Sequence, residues 1–111
     1  VKEAPILKAI LQALELRGVC AWRANAGLTV IGKGASRRVI RGAPPGTPDV
    51  IGILKGGRFF GLEVKSSTGR PNRAQLDWRR RADALGARYD VVRDVRSALA
   101  AVERWQSLEA T

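Results

Sequence analysis

Lys55-Gly56-Gly57 separates two short runs, Val50 to Leu54 and Arg58 to Val64, that are rich in β-branched and aromatic residues. A glycine-rich tripeptide between such runs is hairpin chemistry, so the chain is expected to be built on an antiparallel pair of strands. If the loop is three residues long, Leu54 faces Arg58, and Asp49 lies directly opposite Glu63. Side chains alternate along a strand, so Glu63 and Lys65 share the face of Asp49 while Val64 points into the other layer. A two-residue turn would slip the register by one and send Asp49 to the opposite face.

The stretch from Thr47 to Lys65 therefore carries a Pro-Asp pair, a Glu fourteen residues after the Asp, and a Lys two residues further on. Two carboxylates at this spacing on a hairpin form a hard, all-oxygen site suited to Mg²⁺ or Mn²⁺. A lysine beside them can hold an attacking water, help deprotonate it, and offset charge on a scissile phosphate, which is the chemistry of phosphodiester hydrolysis. The plainer reading is an acidic strand start followed by a solvated Glu/Lys pair. It leaves unexplained why these three residues sit among positions that are otherwise apolar on both faces.

Charge agrees with such a substrate. Twenty Lys and Arg against ten Asp and Glu give a formal charge of +10, and a polyanion is the natural partner of so basic a chain. The sequence has no His and one Cys, which excludes an internal disulfide, a zinc cluster and a Ser-His-Asp triad. Catalysis would have to come from carboxylates, Lys, Gln and a metal. The 111 residues, 45% of them hydrophobic, are expected to form one domain, residues 1–111, around one core. No apolar run reaches the ~20 residues of a membrane helix and no secretory leader opens the chain, so a cytoplasmic protein without membrane contact is expected.

Along the chain, Pro5 suits a first helical turn, and Ile6, Leu7, Ile10, Leu11 and Leu14 repeat at helical spacing until Gly18. Glu3 would extend this stripe onto the buried side, either as an acid favoured by the helix dipole or as a third carboxylate of the site. Val19 to Asn25 reads as a strand, with Cys20 and Trp22 expected in the core. The segment from Gly27 to Gly46 is glycine-rich and carries Lys33, Arg37, Arg38 and Arg41 without an acid. It is expected to be a basic loop with short strands at Leu28 to Ile31 and Arg38 to Arg41, its cations either simply solvated or set against a DNA backbone. Gly27, Gly32 and Lys33 approach a phosphate-binding loop, but Gly34 replaces the hydroxyl residue and no helix is expected to follow before Pro44.

Asn72 and Gln75 form a capping-box pattern that opens a second helix with Leu76, Trp78, Ala82 and Leu85 as its apolar positions until Gly86. Gln75 falls on the face of Trp78 and Ala82, toward the sheet, and can serve the cap or the site. Arg70, Arg73, Arg80 and Arg81 can flank a groove. Ala87 to Val92 reads as a strand parallel to that of Glu63 after a right-handed crossover, and Asp94 caps a third helix packed through Val95, Ala98, Leu99, Val102 and Trp105. The expected class is α/β, in the order αβββαβα: a mixed central sheet flanked by helices, with a C-terminal helix beyond the αβββαβ core.

Taken together, Glu3, Arg23-x-Asn25-x-Gly27, Gly46-Thr47-Pro48-Asp49, Leu62-Glu63-Val64-Lys65, Gly69, and Gln75 with Trp78 resemble the VRR-NUC family of the PD-(D/E)xK nuclease superfamily over nearly the whole chain. The resemblance implies a restriction-endonuclease-like core and Mg²⁺- or Mn²⁺-dependent DNA cleavage. By matching positions, Asp49, Glu63 and the Val64 carbonyl would bind the metal, and Lys65 would be the catalytic lysine. Gln75 would orient Lys65 or the water, and Glu3 would hold a water of the metal's shell. Lys33, Arg37, Arg38, Arg41, Arg70 and Arg73 are the candidate DNA contacts. Small stand-alone members, typical of phage and bacterial genomes, resemble homodimeric nucleases acting on four-way (Holliday) junctions. Archaeal-type junction resolvases share the same elements. The alternatives are an endonuclease for flaps, nicks or plain duplex, and a basic binding module without catalysis.

Overall fold

The hairpin forms in the register that places Asp49 against Glu63. In the structure, a computed structural model that describes residues 3–25 and 28–109, β4 (Val50–Ile53) and β5 (Phe59–Val64) pair antiparallel with Val50 opposite Leu62 and Gly52 opposite Phe60. Leu54 N donates to Arg58 O at 2.8 Å across the three-residue turn. Gly56 and Gly57 both adopt positive φ, +84° and +87°, a conformation that residues with a Cβ rarely adopt. Gln106 of the last helix anchors the turn by accepting from Lys55 N at 2.9 Å.

The remaining elements are α1 (Glu3–Leu16), β1 (Cys20–Arg23), β2 (Leu28–Ile31), β3 (Arg38–Arg41), α2 (Arg73–Ala84), β6 (Arg88–Val92) and α3 (Val95–Glu109). The main sheet has the order β1-β4-β5-β6, antiparallel except for the parallel β5/β6 pair. The chain is thus a mixed α/β protein, and the crossover through α2 produces the expected parallel strand. No helix among the described residues is long and apolar enough to cross a membrane.

The sheet's two faces have different roles. Phe60, Leu62, Val64, Val50 and Val92 point into one buried cluster with Leu7, Ile10 and Leu14 of α1 and Ala98, Ala101, Val102 and Trp105 of α3. Phe60 has no exposed surface, and its ring lies 5.8 Å from that of Trp105. Gly52 makes room for it, because a Cβ there would fall 2.5 Å from the Phe60 ring and 2.4 Å from Cys20 O. The opposite face carries Asp49, Glu63 and Lys65, and α2 lies over part of it. Trp78 stacks against Tyr89 and Phe59 at 5.9 and 6.1 Å.

Three expectations about burial are corrected. Cys20 is exposed and Trp22 is 46% exposed, whereas Val19 and Ala21 are the residues of this strand that pack on the core. The reason is that β1 is an edge strand with α1 on its inner face, while α2 reaches the other face only over β5 and β6. Leu76 and Leu85 of α2 are likewise open to solvent, and only Ala82 of its apolar positions is buried. Glu3 belongs to α1 but is exposed. A helix of 14 residues is about 21 Å long and β1 of four residues about 13 Å, so the first turn overhangs the sheet and the buried stripe runs out.

Leu28–Ile31 and Arg38–Arg41 form strands as expected, and among the described residues they pair with each other and with no further strand. They make a separate two-stranded arm on which every residue is exposed. The molecule measures 55 × 31 × 27 Å, with a radius of gyration of 15.2 Å, against about 13 Å for a rounded domain of this length. Gly27, which closes the Arg23-x-Asn25-x-Gly27 pattern and opens the expected basic loop, lies outside the described residues.

Candidate active site

Pro48 and Gly61 set the position of Asp49. Pro48 is fully buried, and a Cβ at Gly61 would lie 2.5 Å from Pro48 Cγ and 3.6 Å from the Trp78 ring. The ring of Pro48 therefore fills the place of a side chain on β5. Upstream, Gly46 at φ +88° runs against the first turn of α2, where a Cβ would meet Ala74 O at 2.1 Å. On the other side, Ala24 N donates to Asp49 O at 2.9 Å. With its backbone held from both sides, Asp49 aims Oδ2 at the end of β5 and accepts from Val64 N at 2.8 Å. The N–H and C=O of one strand residue point to the same side, so the Val64 carbonyl also faces the Asp49 side of β5.

Glu63 is the one buried charged residue of the described chain, 2% exposed. Gln75 Nε2 donates to Glu63 Oε1 at 2.7 Å, and Lys65 Nζ stands 3.7 Å from the same oxygen. Glu63 Oε2 is buried with no hydrogen-bond partner. Burial, and next the negative charge of Asp49, push the Glu63 carboxyl from 4.5 up to about 8, with Lys65 pulling the other way. Inside a protein, a carboxyl so placed must find a cation or keep its proton.

Gln75 resolves the choice between cap and site by doing both. Its Oε1 accepts from Asn72 N at 2.8 Å while Asn72 Oδ1 accepts from Gln75 N at 3.0 Å, which completes the capping box. The amide orientation fixed by the cap leaves Nε2 aimed at Glu63. Lys65, 14% exposed at its side chain, starts a loop that Arg93 holds by donating from Nη1 to the carbonyls of Ser66 and Gly69, the latter at 2.7 Å.

The structure thus brings Asp49, Glu63, Val64, Lys65 and Gln75 together. Glu3 is not among them. The turn at residues 17–19 runs α1 back along β1, so Glu3 reaches the same end of the sheet as Asp49 but in the helical layer behind it. Among the described residues, no group of three or more His, Cys, Asp and Glu side chains could hold a metal ion. The donor set is two carboxylates and the Val64 carbonyl, all oxygen, which fits a cation that keeps waters and takes substrate phosphate for its remaining positions. The unpartnered Oε2 of Glu63 is the specific sign of that fit.

The candidate nucleic-acid contacts fall in two places. Lys33, Arg37, Arg38 and Arg41 lie on the arm, all exposed, and Arg70 is exposed in the loop after Lys65. Arg73 opens α2 with its Nε 3.3 Å from Asp77 Oδ1, and Arg80 approaches the same carboxylate at 3.6 Å. These exposed i,i+3 and i,i+4 pairs are weak and can be exchanged for phosphate.

One neighbour of the site was not singled out in the sequence. Tyr89 is 8% exposed, faces Gly61 across the β5/β6 pair and has a hydroxyl with no partner. Burial and the nearby Glu63 raise it to about 12. Its alternation within Ala87 to Val92 marks the face it shares with Glu63, but a tyrosine in an apolar strand carries no chemical signal by itself. A scan against protein-family models and searches of curated proteins and of solved structures found no match to this chain.

Proposed function

We propose that the chain is a metal-dependent endodeoxyribonuclease with a restriction-endonuclease-like core, similar to the VRR-NUC nucleases, that hydrolyses phosphodiester bonds in DNA. The observation that carries this reading is Glu63, a buried carboxyl with one oxygen unpartnered, placed beside Asp49 by a hairpin register and a buried proline. A structural role would be better served by an apolar residue or a fully paired one. Asp49 and Glu63, with the Val64 carbonyl, would hold Mg²⁺ or Mn²⁺. A bound divalent ion supplies Lewis-acid stabilisation of charge on the phosphate.

The chain's own residues do the rest. Lys65 holds its ammonium 3.7 Å from Glu63, where it can position a water and offset phosphate charge. Gln75, held by the helix cap, fixes the rotamer of Glu63, and a fixed ligand geometry is what positioning in catalysis requires. The formal charge of +10 supports a polyanionic substrate. Four-way junctions cut by a homodimer are the substrate and assembly proposed from the family resemblance, since paired cuts on symmetry-related strands suit a two-fold dimer.

The test is cleavage of labelled four-way junction, flap and linear duplex by the wild type and Lys65→Ala in Mg²⁺, in Mn²⁺ and in EDTA. Paired cuts in the junction alone, lost in EDTA and in the variant, are expected. Cuts in all three substrates would keep the nuclease and remove the junction preference. Absence of metal-dependent cutting of any substrate would leave a basic DNA-binding module.

A further inference from the structure

A cavity on the same face of the sheet does not contain the carboxylates. It measures about 790 Å³ and opens between the β4/β5 turn and the C-terminal half of α2, with Phe59 and Trp78 as aromatic walls, Leu85 at the lip, and Arg58 and Arg81 as its charged residues. Its volume is that of a small-molecule site. Phe59 is 36% exposed and Leu85 89% exposed, so apolar surface is presented to solvent where α2 leaves the sheet. The Phe59 and Trp78 rings are inclined at 48° with centroids 6.1 Å apart. They form an apolar cleft against which a flat ring can lie.

The charge of the lining decides which flat ring. Both charged residues are arginines and no acid lines the cavity. Arg58 Nη1 is held at the floor by donating to Gly86 O, while Arg81 pairs with no carboxylate among the described residues. An apolar cleft with a cationic rim matches a base joined to its phosphate. Aromatic walls bind bases through stacking, with little regard to sequence.

Location links this cavity to the site above. Phe59, Gly61 and Glu63 are alternate residues on one face of β5, so the cleft lies about 13 Å from the Glu63 position along the strand. That equals about four nucleotides of a stacked strand. Trp78 bridges the two, since the ring that walls the cavity also covers Gly61 beside Pro48. We infer that this cavity takes an unpaired nucleobase of the substrate strand, about four nucleotides from the scissile phosphate. The assignment of a scissile phosphate rests on the nuclease reading, whereas the base-binding assignment is tested apart from it.

The experiment measures fluorescence anisotropy of a 12-nucleotide oligothymidylate and of an abasic strand of equal length and charge, in EDTA, with the full chain. Wild type should prefer the base-bearing strand by about tenfold. Leu85→Asp, at a position that is 89% exposed, and Phe59→Leu, which keeps apolar bulk without the ring, should each bring the two strands close to equal affinity. Circular dichroism melts establish that both variants are folded. Equal binding of the two strands by wild type, or a preference that survives both substitutions, overturns the proposal. So does concentration-dependent self-association in sedimentation that Leu85→Asp abolishes, which would give the cavity to a second copy. The same preparations are assayed for cleavage in Mg²⁺. Cleavage without base preference removes the cavity assignment alone, and base preference without cleavage keeps the cavity and removes the nuclease.

Discussion

Glu63 concentrates the energetic conflict of this molecule in one carboxyl. Buried beside Asp49, it is raised from 4.5 to about 8, so the folded state holds a proton that the unfolded chain has lost. Below pH 4.5 both states are protonated and the contribution to stability is fully present. Between 4.5 and 8 the unfolded chain ionises first, so stability falls as pH rises, and above 8 the loss is complete. At about 1.4 kcal/mol per pKa unit, the loss is on the order of 5 kcal/mol. Melting in EDTA should therefore show the wild type losing stability from pH 5 to 9, while Glu63→Gln, which keeps the Gln75 contact and removes the titration, stays nearly flat and is the more stable at pH 8.5. Mn²⁺ at pH 8 should raise the wild-type Tm through ligand linkage and leave Glu63→Gln little changed. A wild-type Tm that does not fall with pH would show that Glu63 has a partner in the folded chain. The pairing of Asp49 with Glu63 was legible in the sequence because strand alternation and a three-residue turn leave one register that unites them. The double use of Gln75 was not, since spacing cannot show that a capping amide has its nitrogen left over and aimed at a carboxylate.

At the scale of elements, the arm shows how far local pattern reaches. Its two strands are read correctly from β-branched residues between glycines. Their exposure is not, because whether Leu28, Val30, Ile31, Val39 and Ile40 are covered is decided by contacts with the rest of the molecule, and the structure leaves all five about half exposed or more. The same lesson applies to Trp22 and Leu85, whose apolar character fitted a core that does not extend to them. A lone two-stranded ribbon is marginally stable and adds little to the fold. Replacing residues 28–41 with a short Gly-Ser linker should accordingly leave Tm within about 3 °C of wild type, as the buried cluster contains no residue of the arm. The same deletion should weaken duplex binding strongly, because Lys33, Arg37, Arg38 and Arg41 leave with it. A large loss of Tm would mean that the arm packs on the body in solution, and unchanged binding would remove those four residues from the nucleic-acid interface.

Over the whole molecule, four of the 20 Lys and Arg residues lie on the arm, and their share of binding to a polyanion can be measured. Binding to duplex releases condensed counterions in proportion to the phosphates neutralised, with a slope of log K against log salt of about −0.9 per contact. Each arm residue that meets a phosphate therefore contributes about that much. Replacing Lys33, Arg37, Arg38 and Arg41 by Ala should flatten the slope by up to about 3.6 if all four make contact. Asp49→Ala should leave the slope unchanged in EDTA or make binding slightly tighter, because it removes a negative charge near the path of the backbone without removing a cation. These two outcomes separate affinity from chemistry: the first changes salt dependence with the carboxylate pair intact, and the second removes a metal ligand with the electrostatic footprint intact. If the fourfold variant kept the wild-type slope, the cations in contact would have to lie elsewhere, and Arg70 and Arg73 at the rim of the site, with Arg81 at the cavity, would be the next to replace. Composition predicted the sign and size of this field. Its partition required the fold, because only the topology shows that residues 28–41 leave the body while residues 70–81 stay beside the carboxylates.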